Sequence, residues 1–410
     1  MGQLKTFAAA SAVALMAALP ASAECTIDGA GSVRILSNDF TSLHRVNEGA
    51  AQCASDAVTV EINQTVEHKT IQVPALTTDP ATYSVAVVAN NSVIPLLGAD
   101  LVRPLDEYVE KYGQNLQPHQ MVRMSDGIMA VAFMANGQHM FYREDVLEEN
   151  GLSVPTTMDE LFSVLDALQA AGYEHPFASN YQPGWDLAAE FVNLYLGTGA
   201  EFFADGSAEL DIQNEHGMRV LETMAKLTTY MRPAFITDNG NTIMPMWKEG
   251  QVVVMFQWGS RGSEALDPES NVAAPHAGLA AMPAMDAGGP PSAALWWDGF
   301  TIAKNVSDED AEASFQAMAH AVGPRLAADH PADAVWLTTG YEPTDAAVGV
   351  NGNIQGGARP YPMVPYMGLL HTALGENLAE FIQGEESAEQ ALADVTAAYE
   401  TAARESGFLQ

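Results

Sequence analysis

Tyr83-Ser84-Val85-Ala86-Val87-Val88-Ala89 limits the possible folds of this chain more than any other stretch. It is a run of small and β-branched residues without the apolar-polar alternation of a half-exposed strand. The pattern predicts a strand buried on both faces. Such a strand needs helices above and below it, and its surroundings supply them. Ser32 to Ser37 reads as a first strand. A helix follows with Leu43, Val46, Ala50 and Cys53 on one face, and Val58 to Ile62 is a second strand. Strands alternating with helices predict an α/β fold around a mainly parallel sheet, in which ligands collect beyond the carboxyl ends of the strands. Asn38, Asp39, Asn90 and Asn91 fall at such ends, although Asn and Asp also serve there simply as turn and cap residues.

A second stretch predicts how the chain is divided. Phe133 to Phe141 is apolar but carries Asn136, Gln138 and His139, and Thr157-Met158-Asp159-Glu160 then opens an amphipathic helix with a capping box. This reads as a passage from one lobe to another that presents Asn136 to the gap between them. With 410 residues there is material for two cores. The predicted lobes are 24–132 with 274–322, and 133–273 with 323–410. Trp185 to Leu196 and Met218 to Leu227 read as helices, Gln251 to Phe256 and Leu295 to Ile302 as strands, and Gly349 to Met363 as a loop delivering Arg359 and Tyr361.

Lys5, the apolar Phe7 to Leu19 run and Ala21-Ser22-Ala23 read as an export signal over residues 1–23. The apolar run is too short to span a bilayer. In an exported chain the two cysteines, Cys25 and Cys53, read as one disulfide, two free buried thiols being the alternative. Acidic residues number 52 against 17 basic ones, a formal charge of −35, which predicts that nucleic acid is not a partner.

Familiar catalytic patterns are missing. The histidines lack zinc-helix spacing, and there is no HExxH, GxSxG, GxxxxGK[ST] or strand-linked GxGxxG. Neither an enzyme, a metal nor a cofactor is expected. What the sequence offers instead is tryptophan at element ends. Trp185 opens a helix, Trp258 closes a strand, and Trp296-Trp297 precede Asp298-Gly299. Aromatic faces beside amides and carboxylates suit a sugar, whose C–H face stacks while its hydroxyls need donors and acceptors. Neighbours on a strand point to opposite faces, so one of Trp296 and Trp297 should face the core. Trp297, next to Asp298, is the one expected at the ligand.

Five blocks in order carry a resemblance: Phe141-Tyr142-Arg143-Glu144-Asp145-Val146-Leu147, Pro155 to Leu161, Trp247-Lys248-Glu249-Gly250 through Trp258-Gly259, Gly299 to Val306, and Tyr361 to Tyr366. The chain resembles the extracellular solute-binding proteins of ABC importers, in the sugar-binding family that includes maltose-binding protein. Arg143-Glu144 and Met158 depart from the family's usual Asn-Lys and Trp. The resemblance implies a two-lobed periplasmic-binding-protein fold of type II, each lobe a mainly parallel sheet flanked by helices. It implies a monomer in the periplasm that binds a neutral carbohydrate, a mono- or disaccharide or polyol, and delivers it to a membrane permease. The implied cleft contacts are Asn38, Asp39, Asn91, Asn136, Trp185, Trp258, Trp297, Asp298 and Tyr361. Two other readings stay open: a quaternary ammonium osmolyte held in a cation–π cage, and a secreted carbohydrate-active enzyme.

Overall fold

The computed structural model describes residues 25–124, 126–204 and 206–410. The export signal read over residues 1–23 lies outside the described residues. Three parallel strands open the fold, β1 (Gly31–Ser37), β2 (Val58–Gln64) and β3 (Val85–Ala89). Helices Thr41–Ala51 and His68–Thr77 connect them. Val85 to Val88 are fully buried, as the unbroken apolar run requires. A hairpin follows, β4 (Met121–Met124) against β5 (Gly127–Asn136). Across the single residue Gly137 the chain enters a second sheet as β6 (Gln138–Arg143), which is joined there by β7 (Phe177–Ala178), β8 (Val254–Trp258) and β9 (Ala277–Ala280). The chain then returns as β10 (Ala294–Ile302), which lies antiparallel between β3 and β5. The short β11 (Val335–Trp336) flanks β5, and β12 (Arg359–Pro360) pairs with the start of β10.

The lobes are therefore interleaved in sequence, and the strands depart from the expected details in three places. Only β7–β8 is parallel in the second sheet, whereas β6–β8 and β6–β9 are antiparallel. The reason is the crossing: β6 leaves the first lobe while β9 precedes the return to it, so the two run in opposite directions. β9 belongs to the second sheet and β11 to the first, which differs from boundaries drawn at 273/274 and 322/323. The glycine-rich segment read as a loop contains a helix, Val348–Gln355. Its glycines allow close approach, since a Cβ on Gly349 would stand 2.3 Å from the His139 ring.

Local signals hold where they depend on neighbours in sequence. Thr157 Oγ1 accepts the Glu160 N–H at 3.2 Å, and the Glu160 carboxylate reaches back to the Thr156 N–H at 2.8 Å. Cys25 and Cys53 form a disulfide with Cα atoms 4.9 Å apart. Two large cores result. The first lobe packs Val33, Ile35, Val85, Phe133, Phe300 and Phe315, and the second packs Leu165, Phe191, Phe256, Leu374 and Tyr399.

Candidate functional site

The cleft edge of the first sheet is written by its register. Trp296 on β10 faces Asn136 on β5, and Asp298 faces Ala89 on β3. From the second lobe, Trp258 ends β8 opposite Gln138, one residue beyond the crossing. Trp185 opens the helix Trp185–Gly197 after Gly184, whose φ of +97° is open only to glycine without strain.

These elements bring three indoles together. The Trp185 ring centre lies 5.6 Å from Trp258 and 5.7 Å from Trp296, and Trp258 meets Trp296 edge-on at 6.1 Å. Trp185 stays 38% exposed while Trp296 is 7% exposed. The Trp296 Nε1 is buried without a hydrogen-bond partner, a donor left unsatisfied beside the platform. Beneath it, Tyr361 stacks on Trp296 at 4.2 Å and is 1% exposed. His371 completes the support. Its Nε2 lies 3.0 Å from the Trp185 carbonyl oxygen, and its Nδ1 3.2 Å from the Tyr361 hydroxyl. The carbonyl can only accept, so Nε2 carries the proton and Nδ1 accepts the Tyr361 O–H. Burial lowers the imidazole pKa to about 4, which keeps it neutral.

Charge enters from both lobes. The Lys69 ammonium, from the helix His68–Thr77 of the first lobe, stands 5.2 Å from the centre of the Trp185 ring. Burial pushes the Asp298 carboxyl up to about 7, with Lys69 pulling it back. Burial likewise raises Asp186, beside Trp185, to about 6. Asp298 and Asp186 keep some solvent contact, so the desolvation comes from cleft walls that enclose them rather than from complete occlusion.

The remaining expected residues are dispersed. Trp297 is half-buried against the first-lobe core, while Trp296, more deeply buried, packs into the second-lobe core and meets the other two indoles. Tyr361 lies under the platform and not on it. Asn136 Oδ1 accepts the N–H groups of Gly137 and Ser260 at 2.9 and 3.2 Å, which ties the crossing to the segment after Trp258. Asn38 Oδ1 accepts the Asp39 N–H in a local turn. Asp39 takes His44 at 2.6 Å and, with Ser260, Arg261 and Glu264, lines an inter-lobe cavity of about 270 Å³. Asn91 lines another, of about 390 Å³, with Tyr361 and Val364, and its Oδ1 is buried without a partner.

Sequence reasoning did not single out Lys69, His371 or Glu190. For Glu190 a signal existed, a carboxylate within a helix whose residues from Leu187 to Gly197 are all buried. Glu190 is 2% exposed and accepts from Gln138 Nε2 at 2.9 Å and from the Asn180 N–H and Nδ2 at 3.2 Å each. Burial outweighs these bonds and raises its pKa from 4.5 to about 7. A folded-state pKa above the unfolded one gives stability that is full below pH 4.5 and lost as pH rises through 7. Three buried histidines lowered to about 4, His68, His139 and His371, act in the opposite sense below pH 6.5. The expected result therefore concerns a difference. Glu190→Gln, neutral at every pH, should gain on wild type by roughly 2 to 3 kcal/mol between pH 5 and pH 8. Chemical unfolding at both pH values checks this, and a pH-independent difference would remove the buried carboxyl from the account.

Comparison with protein families matches residues 50–348 to the bacterial extracellular solute-binding proteins. Comparison with curated protein sequences finds no match. Among solved structures, the fold is similar to maltose-bound MalE3 of T. maritima, with 19% identity, a TM-score of 0.77, and 91% of this chain and 100% of that one covered. An ABC transporter solute-binding protein of Agrobacterium radiobacter in complex with ribitol gives 17%, 0.76, 92% and 99%. One from Agrobacterium vitis with bound D-mannitol gives 16%, 0.76, 93% and 100%.

Proposed function

The chain belongs to the bacterial extracellular solute-binding proteins, and from that premise we propose that it binds a neutral carbohydrate, a mono- or disaccharide or a polyol, between its lobes and hands it to an ABC permease. The observation that carries this reading is the platform of Trp185, Trp258 and Trp296 at the lobe junction with the Asp298 carboxyl beside it. Indole faces take the apolar side of a sugar, and the carboxylate and amide groups take its hydroxyls. Ligand touching both lobes at once favours the closed arrangement, which is the form a permease would read. Within the proposed site, Trp185, Trp258, Trp296 and Asp298 contact the ligand, with Asn91 at one margin and Asn38 and Asp39 at the other. Asn136 acts at the hinge, Tyr361 supports from below, and Trp297 buttresses from the first-lobe side.

That solved relatives of the fold carry maltose, ribitol or mannitol supports the class of ligand. A quaternary ammonium ligand is disfavoured by Lys69, whose ammonium already stands over Trp185. The protein acts as a monomer outside the cytoplasm, without turnover of its ligand; no helix among the described residues is long and apolar enough to cross a membrane.

Thermal unfolding in the presence of maltose, ribitol, D-mannitol, other sugars and glycine betaine tests the reading. A carbohydrate at 100 times its Kd adds about 2.7 kcal/mol by mass action and raises the melting temperature. A rise with betaine and with no sugar or polyol would overturn the reading, as would release of product from an oligosaccharide.

A further inference from the structure

Lys69 is unusual among the cations of this protein. Among the described residues, every Lys and Arg except Lys69 and Lys226 lies in an ion pair with a carboxylate. Lys226 sits over the Phe162 ring on the second lobe, away from the lobe junction. Lys69 instead reaches across the cleft from the first lobe to the exposed face of Trp185 in the second. The walls strip enough water from its ammonium to lower its pKa, and Asp298 opposes that shift. Asp298 makes no ion pair within hydrogen-bonding reach of Lys69, so each keeps capacity for a ligand.

Without Lys69 the same walls would be well suited to an organic cation. Trp185, the most exposed of the three indoles, offers its negative face, and the carboxyl groups of Asp298 and Asp186 stand nearby, short of solvent. We propose that Lys69 is a specificity-determining residue of the cleft, filling the cation position over Trp185 so that uncharged polyhydroxyl ligands are admitted and ammonium-bearing ones are refused. The inference rests on the reading of this cleft as the ligand site. A sugar bears no charge to be repelled, and its hydroxyls can accept from the ammonium. An ammonium ligand meets a like charge already seated on the ring it needs. Exclusion of the wrong partner by an unfavourable charge is a recurrent source of specificity.

Titration calorimetry with choline on wild type, Lys69→Met and Lys69→Arg tests the proposal. Lys69→Met should bind choline at least tenfold more tightly than wild type, and Lys69→Arg, which keeps the charge, should not. Equal choline binding by wild type and Lys69→Met, including none by either, would overturn it. So would choline binding by Lys69→Arg as tight as by Lys69→Met. Lys69→Gln, uncharged and polar, carries the same test should the Met variant fold poorly. The two readings fail separately. Wild type that binds no sugar while Lys69→Met gains choline sinks the carbohydrate reading alone. Wild type that binds a sugar while Lys69→Met gains nothing sinks the role of Lys69 alone.

Discussion

Trp185→Ala and Trp258→Ala are each expected to weaken binding of the sugar or polyol found by thermal shift at least tenfold, or by more than about 1.4 kcal/mol. Both indoles belong to the second lobe, and both meet Trp296 of β10 across the lobe junction. Removing Trp185 deletes the most exposed ring of the platform. It also frees the Lys69 ammonium from its seat, so the preorganised surface is lost along with the stacking area. Because Trp185 is 38% exposed, little core is lost and the fold should survive. Trp258 is more enclosed, and its loss leaves a gap beside Trp185 and Trp296 that water can enter. Trp297→Ala is the informative comparison. Its side chain packs against the first-lobe core, so the variant should lose stability and keep most of its affinity. Calorimetric titration of all three settles the matter. Unchanged affinity in Trp185→Ala and Trp258→Ala would take the platform out of the site, and a tenfold loss in Trp297→Ala would bring that residue into it.

The contrast between Trp296 and Trp297 shows where sequence reasoning stops. Strand alternation states that adjacent residues face opposite ways. It does not state which lobe lies on which side, because that depends on β10 being held between β3 and β5 and starting at the hinge. The buried strands, the Thr157 cap and the cysteine pair were legible, since each depends on local pattern or on the arithmetic of two residues. Lys69 was not. In sequence it is one cation in the first turn of a helix, and it becomes a cleft residue only because a chain segment more than a hundred positions later brings Trp185 over it. The mainly antiparallel second sheet was hidden for a similar reason. Its strands are apolar runs like those of the first, and their direction is set by how often the chain crosses between lobes. The glycines of Val348–Gln355 mislead by composition, since close approach to His139 and Ala281 calls for glycine as much as a loop does.

Replacing both cysteines, Cys25→Ala with Cys53→Ala, should cost about 3.5 kcal/mol of stability while leaving ligand affinity within about twofold. The bond spans 28 residues, and opening it returns the loop-closure entropy to the unfolded chain. In the folded state other anchors remain, for the Asp28 N–H donates to Gln316 and the Ser32 N–H to Asp310. The separation of the two effects follows from the strand that the disulfide guards. Cys25 lies before the start of β1, whereas the proposed cleft margin with Asn38 and Asp39 lies beyond its far end. Seven residues at about 3.3 Å each put some 20 Å between them. A lesion at the outer end of β1 therefore unfolds the first lobe sooner without reshaping the indole platform. Chemical unfolding and sugar titration of the double variant check both halves. Equal midpoints with and without the cysteines would mean that the bond contributes nothing. A large loss of affinity would mean that β1 transmits strain from the disulfide to the cleft.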